Sequence, residues 1–167
     1  MKKIIALLAA VALVLSLSAC FMSGNTNSDS TEDQANAADV STYDKDFSGL
    51  VQYIKDRNSN CEQQEIYYAI LGAADGTRLV LNKNAYVEIY DFTDVLAGSA
   101  TADSADPAMA QSIIDDIEDD GKFQPMANGV TMTAVITDSG KYVLAWDETR
   151  SFDYAGKVAT DELKENW

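Results

Sequence analysis

The chain contains no histidine among its 167 residues, and this absence excludes more chemistry than any other feature. Histidine is the commonest general base near neutral pH and the commonest transition-metal ligand. Without it, neither a Ser-His-Asp nor a Cys-His nucleophile can be assembled from this chain alone. Any catalysis has to rest on carboxylates, tyrosines or lysines. Positive charge is scarce too. Twelve Lys and Arg stand against 27 Asp and Glu, a formal charge of −15. A surface that negative repels nucleic acid and anionic lipid headgroups, so nucleic acid is not expected as a partner. Cations, basic peptides and neutral sugars stay open.

The N-terminal apolar run, Ile4 to Leu17, is broken only by Ser16 and follows Met1-Lys2-Lys3. It falls short of the about 20 apolar residues a membrane-spanning helix needs, and has the length of a signal-peptide core. The run ends in Leu17-Ser18-Ala19-Cys20, which resembles the lipobox of bacterial lipoproteins. That resemblance implies cleavage before Cys20, a diacylglyceryl thioether and palmitate-type acyl chains on that residue, and a cell-membrane location outside the cytoplasm. Two or more acyl chains anchor a protein stably, at ~0.8 kcal/mol per buried CH₂, where one holds it marginally. Cleavage also removes Lys2 and Lys3, which leaves ten basic against 27 acidic side chains and a charge of −17.

Three segments are expected: a signal peptide over 1–19, a lipidated Cys20 with a flexible polar tether over 20–43, and one domain over 44–167. The tether, rich in Ser, Asn, Thr, Asp and Ala, shows no apolar periodicity and cannot bury enough surface to order itself. As a coil of about twenty residues it reaches roughly 25 Å.

In the domain, Phe47, Leu50, Val51 and Ile54 fall at helical spacing and predict a helix ending near Asn58-Ser59-Asn60. The run from Glu65 to Ala73 suits either helix or strand, with strand favoured, and Asp75-Gly76 reads as a turn. Thr77 to Leu81 and Ala85 to Phe92 form a hairpin through Asn82-Lys83-Asn84. Asp106-Pro107 opens a helix with Ala110, Ile113, Ile114 and Ile117 as its buried stripe, and Gly121 closes it. Val130 to Thr137 and Lys141 to Asp147 pair through Asp138-Ser139-Gly140, and Thr160 to Trp167 is a short terminal helix. The expected fold is α+β: a small antiparallel sheet of about four to five strands with two to three helices on one face. Ile70 to Gly76, with Val87 to Phe92, resembles small uncharacterised lipoproteins of Gram-positive bacteria, a likeness that implies no activity.

Four constellations bear on chemistry. Asp116, Glu118 and Asp120 before Gly121 resemble the opening of an EF-hand calcium loop, but its closing Glu position is Ala127. They form a candidate weak cation site, set against a plain solvated helix face; no other metal site and no cofactor is expected. Thr137-Asp138-Ser139-Gly140 superficially resembles the aspartic-protease element, but lacks the second copy that chemistry needs, and a hairpin turn explains it. Cys61, the one cysteine left once Cys20 carries lipid, has no histidine to activate it and is expected to be buried, the alternative being an exposed thiol that pairs between chains. Tyr86 and Tyr90 share one strand face, and Tyr142 and Trp146 another. If those faces coincide they form an aromatic strip for sugars or peptides; otherwise they fill the core.

Two functional readings follow. The first is a membrane-anchored, non-catalytic interaction module whose partner is an extracellular protein, peptide or glycan. The second, less favoured, is a small carboxylate-dependent hydrolase of cell-envelope sugars. Two facing carboxylates in a pocket would favour the enzyme; an exposed sheet edge or apolar patch would favour the module.

Overall fold

The computed structural model describes residues 38–58, 60–81, 85–101, 103, 105–124, 130–147 and 160–167. All of them lie in the unit spanning residues 31–167. Cys20, most of the tether and the Asn82-Lys83-Asn84 turn fall outside the described residues.

The first helix, α1 (Phe47–Asp56), starts where Asp46 accepts a hydrogen bond from the Gly49 N–H at 2.8 Å. The chain entering it folds back tightly over its first turn. A Cβ at Gly49 would stand 1.9 Å from the Asp44 carbonyl oxygen, so no larger residue fits. Leu50, Val51, Tyr53 and Ile54 form the buried face. Residues assigned by composition to the tether also belong here. Val40 and Tyr43 pack on the core, and the Tyr43 ring meets Tyr53 edge-on at 5.4 Å. These apolar contacts, with hydrogen bonds from the Tyr43 hydroxyl to Asp56 and from Arg57 Nη2 to the Ala38 carbonyl, tie residues 38–43 to the domain.

Six strands form one sheet: β1 (Glu62–Glu65), β2 (Asp75–Val80), β3 (Tyr86–Asp91), β4 (Lys122–Phe123), β5 (Met132–Ile136) and β6 (Tyr142–Trp146). Their order is β1-β2-β3-β6-β5-β4, with every neighbouring pair antiparallel. The hairpins β2–β3 and β5–β6 are those the sequence predicts, and the α+β class holds. The sheet has six strands: Glu62–Glu65 forms one edge, and the short β4, directly after Gly121 and without a counterpart in the sequence reading, forms the other.

The helices do not share one face. All of β6 is buried: Tyr142, Leu144 and Trp146 point into the core under α1, Val143 and Ala145 into a second core. That second core lies under α3 (Pro107–Asp120) and the short α2 (Thr93–Leu96). An uninterrupted apolar strand is the mark of a sheet covered on both sides. Asp106 caps α3 by accepting from the Ala108 and Met109 N–H groups, and Gly121 ends it in the left-handed region at φ 69°. The last helix, α4 (Asp161–Asn166), returns to the α1 face. Trp167 behind it is 3% exposed, meets the Tyr53 ring at 5.0 Å with the planes tilted by 53°, and donates from Nε1 to the Asp46 carbonyl.

Two local expectations give way. The predicted strand over Glu65–Ala73 lies earlier, at Glu62–Glu65, and Tyr68–Leu71 is instead a 3₁₀ turn ended by Gly72 at φ 71°. Asp75-Gly76 is no turn but the start of β2, because the left-handed residue that ends the preceding 3₁₀ turn is Gly72, three residues earlier. Among the described residues, no helix is long and apolar enough to cross a membrane.

Candidate functional site

An open groove of about 860 Å³ runs between α1 and the β1 end of the sheet. Helix α1 contributes Phe47, Ser48, Val51, Gln52 and Lys55 to it; Gln63, Gln64 and Glu65 line it from β1. Ile66, Tyr68 and the first three residues of β2 complete the lining. The β1 register explains the arrangement. Glu65 sits opposite Thr77 and Gln63 opposite Leu79, and Leu79 points into the core under α1. Successive strand residues alternate faces, so Glu65 and Gln63 look toward α1 while Glu62 and Gln64 look away. All four β1 residues are exposed. Beyond them, Tyr67 and Ile70 are 85% and 65% exposed, the two most exposed large apolar side chains among the described residues.

Charge along the groove is mostly negative. Lys55 is the one cation lining it among the described residues, and its Nζ donates to Gln63 Oε1 at 3.3 Å. At the opposite end, Asp75 lies directly across the β2–β3 ladder from Asp91, and Asp91 directly across from Tyr142. Asp75 is exposed; Asp91 is half-buried and accepts from the Thr93 N–H at 2.7 Å. Burial raises the Asp91 carboxyl above the usual range, the Thr93 hydrogen bonds oppose that, and nearby Asp94 and Asp75 add to it. Burial likewise raises the Tyr142 phenol.

The opposite face of the same hairpin holds a polar cluster that sequence reasoning missed. Glu88 is 4% exposed and is gripped by its cross-strand partner Arg78, whose Nε donates to Oε1 at 3.0 Å and whose Nη2 donates to the same oxygen. Tyr90 donates its hydroxyl to Glu88 Oε2 at 2.6 Å, and the Arg78 guanidinium lies over the Tyr86 ring at 4.4 Å. Both carboxylate oxygens are thus occupied by the protein itself. A signal for this pair existed: a hairpin centred on Lys83 sets residue 78 opposite 88.

The aromatic strip does not form. Tyr86 and Tyr90 belong to the core under α3, whereas Tyr142 and Trp146 belong to the core under α1. Tyr90, Tyr142 and Trp146 are buried, so the aromatics serve packing. The acidic trio fares no better as a ligand set. Asp116, Glu118 and Asp120 are all exposed on α3, which stays helical through Asp120, so Glu118 points away from the side the other two share. Asp116 and Asp120 line a shallow depression with Asp119 and Lys122, and Asp120 accepts from the Lys122 N–H. Among the described residues, no three Asp, Glu or Cys side chains are placed to hold a metal ion.

Asp138-Ser139-Gly140 is the β5–β6 turn, closed by a hydrogen bond from the Gly140 N–H to the Thr137 carbonyl and by Gly140 at φ 73°. Cys61 is half-buried against the core under α1, with its thiol pushed up by burial. Comparison with known protein families, with curated proteins and with solved structures finds no match to this chain.

Proposed function

We propose that the protein is a lipid-anchored extracytoplasmic interaction module that presents the groove beside β1 to a partner outside the membrane. The observation that carries the binding half of this reading is the exposed sheet edge Glu62–Glu65 flanking an open groove. Edge strands and shallow grooves suit extended partners, which contribute main-chain hydrogen bonds along the edge. The anchoring half rests on Leu17-Ser18-Ala19-Cys20 and the apolar run before it. The segment after Cys20 then serves as the spacer that lifts the domain off the headgroups.

The test is intact mass and membrane partitioning of the expressed protein, with and without Cys20→Ala. A diacylglyceryl-sized mass gain that disappears in the variant, together with release from the membrane, supports the anchored module. Unlipidated protein in both cases sinks it.

One observation favours the hydrolase as a second reading: Asp75, at one end of the groove, stands directly opposite Asp91 on the neighbouring strand. Opposed strand residues have Cβ atoms about 5 Å apart, near the carboxylate spacing of retaining glycosidases. Those enzymes, however, flank the scissile bond with their two carboxylates. Here both acids come from one sheet, and the α1 residues lining the groove bring no carboxylate to its other wall. Release of reducing sugar from envelope glycan, abolished by Asp75→Asn, would move the assignment to the enzyme.

A further inference from the structure

We propose that β1 accepts an extended basic peptide segment as an added antiparallel strand, with the pattern basic–any–apolar–basic. This deepens the interaction-module reading and rests on it, because it names the chemistry of the partner at the same groove.

The outer side of β1 is an edge, and an edge strand leaves every second N–H and C=O pointing outward for a partner chain. The four residues read Glu-Gln-Gln-Glu, so charge sits at both ends and neutral amides in the middle. A second copy of the chain is a poor occupant. Antiparallel self-pairing about the centre of β1 sets Glu62 of each copy opposite Glu65 of the other, and like charges directly opposed are destabilising. A basic strand meets the reverse situation.

The register fixes which partner residue meets which acid. Glu65 faces the α1 side and Glu62 the other, three residues away along β1. An added antiparallel strand therefore sets one basic side chain across from Glu65 and a second, three positions later, across from Glu62. The residue across from Gln63 lies between them on the α1 side, above a floor that includes Phe47 and Val51, and an apolar side chain suits it. Asp75 continues the negative wall beyond Glu65. The charge of the whole chain, −15, steers a cationic segment in the same direction.

The experiment uses the full chain in neutral detergent micelles and a fluorescent eight-residue peptide with blocked ends, Lys at positions three and six and Val at five. Controls replace both Lys by Glu. Binding is read by anisotropy, and hydrogen exchange is followed at residues 62–65. The expected result is saturable binding of the Lys peptide alone, slowed exchange at 62–65, and loss of affinity with added salt. The double variant Glu62→Lys with Glu65→Lys weakens the Lys peptide about tenfold or more and gains binding of the Glu peptide. Because all four β1 residues are exposed, this variant keeps the fold. Equal binding of both peptides, no binding of the Lys peptide, unchanged exchange at 62–65, or dimerisation through β1 that blocks the peptide each overturns the proposal. The mass of the same preparation separates the two readings. Lipidated protein that ignores the peptide keeps the anchored module and loses this partner; unlipidated protein that binds with the charge swap does the opposite.

Discussion

Asp91 is flanked across the sheet by Asp75 on one side and Tyr142 on the other, which leaves a half-buried carboxyl beside an exposed one with no cation in the row. Burial raises its pKa in the folded state. The folded protein therefore holds this proton at pH values where the unfolded chain has released it, and stability falls as pH rises through that window. Asp91→Asn keeps an acceptor for the Thr93 N–H and removes the titration. The variant is expected to be more stable than the parent near neutral pH, by less than ~1 kcal/mol given partial solvent screening. The gain shrinks to nothing below the ordinary Asp range. Urea unfolding as a function of pH checks this; a gain that persists in acid would assign it to something other than the charge.

Removing Arg78 leaves Glu88 buried with one oxygen unpaired. Arg78→Ala is expected to cost about 3 kcal/mol, at the low end for a broken buried pair because Arg78 itself is partly exposed. Glu88→Gln keeps an acceptor for Tyr90 and should cost less. Unfolding of the two single variants and the double variant measures the coupling. Additive losses would show that the pair contributes nothing beyond its separate members.

How much of this was legible in advance depends on where the information resides. Both hairpins and the long helix were readable because the signals are local: Asp106-Pro107 and Gly121 bound α3, and Asp138-Ser139-Gly140 turns β5 into β6. The Arg78–Glu88 pair was readable in principle, since a hairpin predicted to centre on residue 83 sets 78 opposite 88, the register observed. The β3–β6 pairing that joins the two hairpins has no such signal, because it depends on which apolar faces meet in three dimensions. The same ignorance made an aromatic strip conceivable. Tyr86 with Tyr90, and Tyr142 with Trp146, are each correctly placed on one strand face, yet the β3–β6 register turns the two pairs to opposite sides. Strand β1 has no signature in the sequence, because Glu-Gln-Gln-Glu carries no apolar residue. Its strand character comes from pairing with β2 alone. The groove inherits that illegibility, since one of its walls is this strand.

Tyr53 offers an alkaline test. Its hydroxyl donates to Glu162 at 2.7 Å, the Arg57 guanidinium lies 3.6 Å over its ring, and burial with the Glu162 bond pushes the phenol up to about 12. The unfolded phenol ionises near 10, so the stability this group contributes is complete below ~10 and is lost as pH rises toward the folded value. Tyr53→Phe should lose about 1 kcal/mol at neutral pH and flatten the alkaline dependence. Absorbance titrations of the folded parent and of folded Tyr53→Phe should differ by one phenol, ionising near 12.

Cys61 is predicted to be slow. The half-buried thiol has its pKa raised by burial, with only Lys55 opposing, so the thiolate fraction at neutral pH is smaller than in a free cysteine. In the Cys20→Ala protein, where Cys61 is the sole thiol, alkylation by iodoacetamide at neutral pH should run about tenfold or more below the rate in denaturant. Packing supplies a second barrier, since the side chain lies against the core under α1. Raising pH should speed the reaction without bringing it to the denatured rate, because ionisation removes one barrier and leaves the other. Native and denatured rates that coincide would mean that Cys61 is an open thiol, and disulfide pairing between chains would then replace burial as its role.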